Sequence, residues 1–229
     1  MNLQQFTQNN SIQFKNEKLL EQAFIHRSFI NENPRSGLEH NERLEFLGDA
    51  VLELVVTQFL YKEYPHHNEG DLTAYRSALV NAVTLGAVAD SLSFNDFIKL
   101  SKGEAKDVSR ARSSILADAY EAFVGALYLD QGYDTVKVFI TKTLLGKTEE
   151  IIKKGLYKDS KSFAQEKSQE LYGVTPSYKV LHEEGPDHDK IFRVGIFFGD
   201  EIIAEGQGKS KQEAETVAAR TALEKKGWI

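Results

Sequence analysis

The chain has 229 residues, of which 41% are hydrophobic, and its formal net charge is −6. That length suffices for two domains of ordinary size, and the hydrophobic content excludes a largely disordered chain. The sequence contains no cysteine, which excludes disulfides and thiolate metal sites, and its negative charge means that a polyanion partner would need a local basic patch.

The N-terminal residues 1–11 contain neither a basic segment nor an apolar core, so they do not resemble a secretory signal. No stretch approaches the roughly 18 apolar residues of a membrane span. We therefore expect a cytoplasmic protein without a membrane segment.

Helical periodicity begins at residues 14–31, where leucine, alanine and phenylalanine recur at helix spacing. We expect this first helix to end at residues 26–28. His26 is interpreted as a hydrogen-bonded structural histidine.

An acidic helix follows from about Asn41 to Tyr61 and opens with the run NERLEFLGDA, with Asn41 as the expected N-cap. On a helical wheel with Glu45 at zero, Asp49 falls near about 40°, Glu42 near about 60° and Glu53 near about 80°. The apolar residues Leu47, Val51, Leu54 and Val55 fall between about 180° and 280° on the same wheel. The pattern predicts an acidic face opposite a buried apolar face.

A solvated helix face is the ordinary explanation of such an acidic stripe. Two details favour a bound cation instead. Arg43 is the one cation within the ten-residue run, and like charges at i and i+4, as in Glu45 and Asp49, repel by a few tenths of a kcal/mol. A metal held by carboxylates alone would be Mg²⁺ or Mn²⁺ rather than zinc.

The next segments connect this helix to a second acidic one. Pro65 ends the first pattern, residues 66–70 form a loop, and Glu69 precedes a helix that begins near Asp71. A carboxylate at that position also favours a helix N-terminus through the helix dipole, so structural and functional roles stay open. A short helix spans residues 85–92, and residues 101–112 are predicted to form a mobile loop.

Residues 113–129 form a strongly apolar helix in which Asp118 and Glu121 interrupt the hydrophobic pattern. Because these acids are three residues apart, they project about 60° from each other on one face. An uncompensated half-buried carboxylate is costly. Metal binding and pairing with an arginine from elsewhere in the fold are both open at this point.

A last helix from about residue 134 to 154 completes the first predicted domain, residues 1–155, and residues 156–160 are read as a linker. From residue 161 the pattern changes to a helix, three strands of alternating hydrophobicity and a closing helix from Ser210 to Lys226. Residues 161–229 therefore predict an α+β domain in the order α-β-β-β-α.

Taken together, these segments resemble the bacterial ribonuclease III family. NERLEFLGDA at 41–50 matches the signature of that family, and SSILADAYEAFVGALYLD at 113–130 resembles its second acidic helix. EGDLT at 69–73 resembles the segment between them, and the tail with GQGKSKQEAE at 206–215 is similar to a double-stranded-RNA-binding domain. The resemblance implies an all-α, dimeric catalytic domain followed by the α+β domain.

The resemblance also implies residue roles. Glu45, Asp49, Asp118 and Glu121 would form the catalytic set, with Glu45, Asp118 and Glu121 binding Mg²⁺ and Mn²⁺ as a possible substitute. The assisting acids would be Glu42 and Glu69. Phe46 matches an aromatic residue at the family's homodimer interface, and it lies outside the predicted core arc. The implied activity is hydrolysis of double-stranded RNA, notably ribosomal RNA precursors, to 5′-phosphate and 3′-hydroxyl ends with short 3′ overhangs.

The implied RNA-binding residues lie in three segments of the tail: Gln165 and Glu166, Pro186 to His188, and Lys209, Ser210 and Lys211. Phosphate oxygens are favoured at the N-terminus of the last helix by its dipole and free N–H groups, although Ser210 is also an ordinary N-cap. Gln212 stands where relatives often carry lysine. Residues 159–229 contain ten Lys and Arg against thirteen Asp and Glu, net −3, so weak isolated-domain affinity is expected.

Two other functions remain possible from the sequence. One is a non-catalytic regulator that binds double-stranded RNA, which the intact set of four acids disfavours. The other is a helical phosphohydrolase of small substrates, but such sites usually rely on histidines, and neither acidic segment contains one.

Overall fold

The computed structural model describes residues 3–10, 12–106, 110–153, 157, 159–186 and 190–229. The chain divides into two compact units, Met1–Ile152 and Lys153–Ile229. Residues 156 and 158 of the predicted linker, and His188, lie outside the described residues. Within the described part of the chain, no helix has both the length and the apolar character needed to cross a bilayer.

Helices make up the regular structure described for the first unit. They are α1 Leu3–Asn10, α2 Glu17–Ala23, α3 Arg27–Glu32, α4 Glu42–Glu63, α5 Glu69–Leu79, α6 Ala82–Ser91, α7 Arg110–Gln131, α8 Tyr133–Thr143 and α9 Thr148–Lys153. Short 3-10 helices lie at Phe94–Asp96, Glu104–Lys106 and Leu145–Lys147. The all-α prediction for this unit is confirmed.

The long helix α7 is central to the first unit, since α2, α4, α6 and α8 all pack against it. Its predicted apolar side is buried throughout. Four phenylalanines, Phe6, Phe24, Phe94 and Phe123, meet edge to face around it, with ring centroids 5.0–5.5 Å apart for most pairs. Edge-to-face contacts of this kind stabilise a core beyond the area they bury.

The predicted first helix is wrong in one respect, because it is two helices, α2 and α3. Tertiary hydrogen bonds replace helical ones at the break: Lys99 N donates to Phe24 O at 2.7 Å, and His26 N donates to Lys99 O at 3.1 Å. His26 is the N-cap of α3, and its Nδ1 lies 2.8 Å from Ser28 Oγ. The interpretation of His26 as a hydrogen-bonded structural histidine is confirmed.

Asn41 is the N-cap residue of α4, as predicted, but it does not cap the helix with its side chain. Its side chain forms no capping hydrogen bond and instead donates to Ala23 O at 3.1 Å, while the residue is 2% exposed. A buried amide must find a partner, and here the nearest partner is the end of α2 rather than the helix it precedes. Asn41 thereby ties the start of α4 to the core.

The second unit has the predicted α+β order. It consists of α10 Ser160–Tyr172, β1 Ser177–Glu184, β2 Ile191–Phe198, β3 Glu201–Gly208 and α11 Lys211–Lys225. The strands form an antiparallel sheet in the order β1-β2-β3. Its core joins the sheet to both helices and contains Phe163, Ala164, Ile196, Phe198, Ile203, Ala204, Ala218, Ala219, Ala222 and Leu223.

Small residues set the approach of α11 to the sheet. A Cβ added to Gly206 would lie 2.2 Å from Ala218 N, so the helix backbone rests directly on β3. Ala214, Ala218, Ala222 and Leu223 of α11 are buried, whereas Val217 is 41% exposed. The close approach leaves room for alanines but directs Val217 to the surface.

Candidate active site

Two glycines bring helices α4 and α7 into direct backbone contact. A Cβ on Gly48 would lie 1.8 Å from the carbonyl oxygen of Glu121, and a Cβ on Gly125 would lie 2.1 Å from that of Leu44. Glycine permits this approach because it has no side chain, although it weakens a helix interior by roughly 0.5–1 kcal/mol relative to alanine. The crossing point is close to acidic residues of both helices, since Gly48 lies between Glu45 and Asp49 in the sequence and contacts the backbone of Glu121.

The crossing brings together three of the predicted metal ligands. Glu45 from α4 and Asp118 and Glu121 from α7 each offer a carboxylate oxygen, and these oxygens lie within 4.8 Å of one another. All three residues are partly buried. Carboxylates at this spacing repel one another strongly unless a proton or a cation separates them.

The pKa of each acid in the cluster is raised. Burial, followed by the charges of Asp118, Glu42 and Asp49, raises the pKa of Glu45 to about 7. Burial, followed by the charges of Asp49, Asp118 and Glu45, raises the pKa of Glu121 to about 8. The pKa of Asp118 is also raised by burial, against the opposing influence of His26.

Asp49, the fourth predicted catalytic acid, lies on the exposed side of α4 beside this cluster. Its charge is the largest electrostatic contribution, after burial, to the raised pKa of Glu121. Asp49 itself is exposed. The structure therefore places it at the rim of the three-acid cluster, one helical turn beyond Glu45.

The two assisting acids occupy different surroundings. Glu42 is close enough to contribute to the raised pKa of Glu45, and its Oε1 lies 3.1 Å from Arg27 Nη1. Glu69 is exposed in the first turn of α5, and it is absent from the charge interactions described for the three clustered acids. Within one chain, the structure brings Glu42 to the cluster but not Glu69.

The helical wheel placed Glu45 opposite the core, and this was wrong. The buried residues of α4 include Leu52, Val56 and Leu60, which share the side of the helix that carries Glu45, while Leu54 is 50% exposed. The wheel counted hydrophobic residues but ignored Gly48, whose side of the helix is covered by α7. Glu45 is consequently half-buried rather than solvated.

His26 is a neighbour of the cluster that the sequence did not reveal. Burial lowers its pKa, and the charges of Glu104 and Asp118 oppose that effect. The functional importance of Gly48 and Gly125 was also missed. A glycine inside a strongly helical pattern is itself a signal of close packing, and both positions carried that signal.

A row of large apolar side chains lies on the exposed side of α4. Phe46 is 83% exposed, Tyr61 is 77% exposed and Leu54 is 50% exposed. These three positions fall within about 80° of one another on the helix. We call Phe46, Leu54 and Tyr61 the α4 stripe.

In the second unit, the described members of the predicted RNA-binding set are all exposed: Gln165, Glu166, Pro186, Lys209, Ser210 and Lys211. Ser210 is the N-cap of α11, where its Oγ accepts from Glu213 N at 3.1 Å, while Lys209 N donates to Glu213 Oε2 at 2.9 Å. This arrangement is a variant of the capping box, because Glu213 accepts from the N–H of Lys209, one residue before the N-cap, rather than from that of Ser210. It fixes the start of the helix between the two lysines.

Two family models match the chain, one in each of the two units described above. The ribonuclease-III-like model matches residues 16–148, and the double-stranded RNA binding motif matches residues 161–226. A ribonuclease 3 of Bacillus licheniformis is 45% identical over 223 residues, which cover 96% of this chain and 88% of that protein. One from Geobacillus kaustophilus is 47% identical over 216 residues, covering 93% and 86% respectively.

Solved structures agree with these matches. The nuclease domain of ribonuclease III from Campylobacter jejuni superposes with a TM-score of 0.56 at 39% identity, covering 62% of this chain and 95% of that one. The same family is indicated by the shared fold, by the two family models and by relatives that match nearly the whole chain. The chain belongs to the ribonuclease III family and is an endoribonuclease that acts on double-stranded RNA.

Proposed function

We propose that the chain hydrolyses double-stranded RNA with divalent metal held by Glu45, Asp118 and Glu121. The observation that carries this proposal is the cluster itself, three carboxylate oxygens within 4.8 Å in a partly buried position. Mg²⁺ is the expected ion, with Mn²⁺ as a possible substitute. The expected products have 5′-phosphate and 3′-hydroxyl ends and short 3′ overhangs.

The donor set fits such an ion. It consists of carboxylate oxygens, which Mg²⁺ and Mn²⁺ prefer. No lysine or arginine appears among the causes of the pKa shifts described for Glu45, Asp118 and Glu121. When bound, a divalent metal lowers the pKa of a coordinated water and stabilises charge on phosphate oxygens.

The residues of the chain have separate tasks in this proposal. Glu45, Asp118 and Glu121 hold the ion on two helices whose spacing is fixed by Gly48 and Gly125. Asp49, at the exposed rim, supports the metal and the attacking water. Glu42, held by Arg27, adds negative charge beside Glu45. Glu69 assists catalysis, and it does so from a position outside the three-acid cluster of its own chain.

We assign RNA binding to the second unit through Gln165, Glu166, Pro186, His188, Lys209, Ser210 and Lys211. Proteins of this class recognise double-stranded RNA by shape, through 2′-hydroxyl and phosphate contacts over about 16 base pairs. Exposed residues on α10, after β1 and at the start of α11 are suited to such spaced contacts. Residues 159–229 have a net charge of −3, so the RNA affinity of this unit depends on local lysines.

We further propose that the chain acts as a homodimer in which each subunit cuts one RNA strand. The α4 stripe supports this proposal, because three large exposed apolar residues on one helix side are typical of a partner surface. The Campylobacter jejuni structure is described as having a region involved in dimer formation in its nuclease domain. Dimerisation would also strengthen RNA binding through avidity.

The proposed cellular role is processing of ribosomal RNA precursors and other structured RNAs in the cytoplasm. The competing possibility, a regulator that binds double-stranded RNA without cutting it, predicts no metal-dependent cleavage. The convergence of the acids favours the enzyme.

A cleavage assay separates these possibilities. We expect a labelled RNA duplex to be cut in Mg²⁺ and left intact in EDTA, while its single-stranded control is left intact in both. Replacing Glu121→Gln should reduce cleavage by roughly 10²-fold or more, since it removes metal-held charge stabilisation worth several kcal/mol.

The matched control is Glu53→Gln, which makes the same change on the exposed side of α4. We expect it to retain cleavage, and both variants should bind RNA as the parent does. Undiminished Mg²⁺-dependent cleavage by the Glu121 variant would show that the cluster is not the catalytic site.

A further inference from the structure

One carboxylate in the second unit faces two lysines. Glu183, near the end of β1, has its Oε1 3.3 Å from Lys211 Nζ and its Oε2 3.8 Å from Lys190 Nζ. The Glu183 side chain is 38% exposed, so it lies at the surface where a ligand could reach the same lysines. We call these three residues the Glu183 cluster.

The sheet and the last helix position this cluster. Glu183 pairs in register with Phe192 of β2, and Lys211 Nζ lies 5.6 Å from the centre of the Phe192 ring. A cation over an aromatic face gains roughly 0.5–1 kcal/mol at an exposed site. Glu183 and Phe192 therefore hold Lys211 at one end of the sheet.

The position of Glu183 relates it to two predicted RNA-contact segments. Lys211 is at the start of α11, and Lys190 immediately precedes β2, after the connection that contains Pro186 and His188. A carboxylate oxygen offers a lysine the same hydrogen-bond acceptor and charge sign as a phosphate oxygen. Glu183 thus occupies a position between lysines that RNA phosphates would otherwise fill.

We propose that Glu183 is an internal competitor for RNA phosphate and sets the RNA affinity of the chain. This inference rests on the proposed role of Lys211 in RNA binding. RNA can bind Lys211 fully once the lysine leaves Glu183, and the carboxylate then remains as a repulsive charge near the phosphates. The arrangement limits the affinity of the chain for any RNA duplex. Discrimination between one duplex and another then depends on the remaining contacts.

The neighbouring Glu184 supplies a matched control. It is also an exposed carboxylate of β1, its side chain being 63% exposed, and its described ion-pair partner is His182 Nε2 at 3.6 Å rather than a lysine. Adjacent residues of a strand point to opposite faces. Changing Glu184→Gln alters the net charge by the same amount without releasing Lys211.

The test uses the full chain and an RNA duplex of about 20 base pairs, which exceeds the roughly 16 base pairs that one such domain spans. Binding is measured by fluorescence anisotropy in EDTA, which prevents cleavage. An exposed ion pair is worth about 0.2–1 kcal/mol, equivalent to about 1.4-fold to 5-fold in affinity. We expect Glu183→Gln to bind RNA about 2-fold to 5-fold more tightly than the parent, and Glu184→Gln to bind nearly as the parent does.

Lys211→Ala and the double variant complete a thermodynamic cycle. We expect Lys211→Ala to weaken binding, and to weaken it by a larger factor in the Glu183→Gln background, where the lysine is fully available to RNA. If the Glu183 and Glu184 variants bind RNA more tightly by the same factor, the effect is explained by net charge alone and the proposal is overturned. Unchanged or weaker binding by Glu183→Gln would also overturn it.

Failure of the underlying RNA-binding assignment gives a different result. If Lys211→Ala binds RNA as the parent does, Lys211 is not an RNA contact and both ideas fail together. If Lys211→Ala weakens binding but the cycle shows no coupling to Glu183, the RNA contact stands and the competitor role is overturned. Glu183→Ala, measured beside Glu183→Gln, should also bind RNA more tightly than the parent.

Discussion

The two units of this chain differ in how their acidic side chains are paired with cations. In the helical unit, Glu45, Asp118 and Glu121 converge without a lysine or arginine among the described causes of their pKa shifts. In the α+β unit, described cations face carboxylates at short range: Lys161–Glu215 at 2.6 Å, Lys167–Glu170 at 2.6 Å, Arg193–Glu205 at 2.7 Å and Lys211–Glu183 at 3.3 Å.

The difference corresponds to two kinds of ligand. A cluster of acids that lacks an internal cation repels itself, and a divalent metal relieves that repulsion. Exposed ion pairs are weak, so their lysines remain available to a polyanion. The first unit is therefore suited to bind a cation, and the second can bind RNA although residues 159–229 have a net charge of −3.

Among the changes that test this difference, the largest effect on stability and cleavage should come from moving the two acidic helices apart. A methyl group on Gly48 would meet the Glu121 carbonyl at 1.8 Å, so Gly48→Ala should destabilise the fold by about 3 kcal/mol through overpacking. It should also reduce cleavage, because Glu45 would move away from Glu121. Urea unfolding and a cleavage assay measure the two effects.

Gly146→Ala is the control for that substitution, since a Cβ there meets nothing within 4 Å. We expect its stability and cleavage to match those of the parent. Equal behaviour of the two alanine variants would contradict the role given to the helix crossing.

The next largest effect concerns the α4 stripe. Phe46→Ala should weaken dimerisation by about 2 kcal/mol, equivalent to roughly 30-fold, as expected for an aromatic residue central to an interface. Analytical ultracentrifugation over a concentration series measures this shift. Val83→Ala is the control, because Val83 is 66% exposed on α6 and lies outside the stripe. Unchanged self-association of the Phe46 variant would count against this surface.

A smaller effect is expected in the pH dependence of stability without metal. Glu45 and Glu121 have pKa values of about 7 and about 8, above their ordinary value of 4.5, so the folded state binds more protons than the unfolded state between these limits. Their contribution to stability is therefore lost as pH rises through about 7 to 8.

The double variant Glu45→Gln/Glu121→Gln removes both titrations and serves as the reference. In EDTA, its melting temperature should rise relative to that of the parent as the pH is raised from 5 to 8. Added Mg²⁺ should stabilise the parent more than the variant. A constant difference across this pH range would mean that the acids are not destabilised by their proximity.

The smallest effect is expected for an ion pair of the second unit. Lys167 Nζ lies 2.6 Å from Glu170 Oε2, and both groups are on one side of α10. Glu170→Gln should leave the melting temperature of the chain nearly unchanged, because exposed pairs contribute little. A large fall in the melting temperature would show that the ion pairs hold this unit together.

The sequence predicted the element order of the second unit and the acids that converge, because hydrophobic periodicity and carboxylate spacing are local properties. In the first unit it predicted the long helices α4 and α7, but it missed α1 and gave one helix over residues 134–154 where the structure has α8 and α9. It did not predict the break at residues 24–26, which depends on hydrogen bonds to Lys99, nor the amide of Asn41, which binds the end of α2. The half-burial of Glu45 was likewise missed. That property depends on a neighbouring helix, and the informative residue, Gly48, carries no hydrophobicity for a wheel to count.

The most direct test of the central claim is metal binding by the free protein. Mn²⁺ titration of the full chain, followed by electron paramagnetic resonance, should show binding that weakens about 10-fold or more in Glu45→Gln, Asp118→Asn or Glu121→Gln, as a lost ligand implies. Glu53→Gln should bind as the parent does. Equal Mn²⁺ affinity in all five proteins would contradict the assignment of these three carboxylates to one metal site.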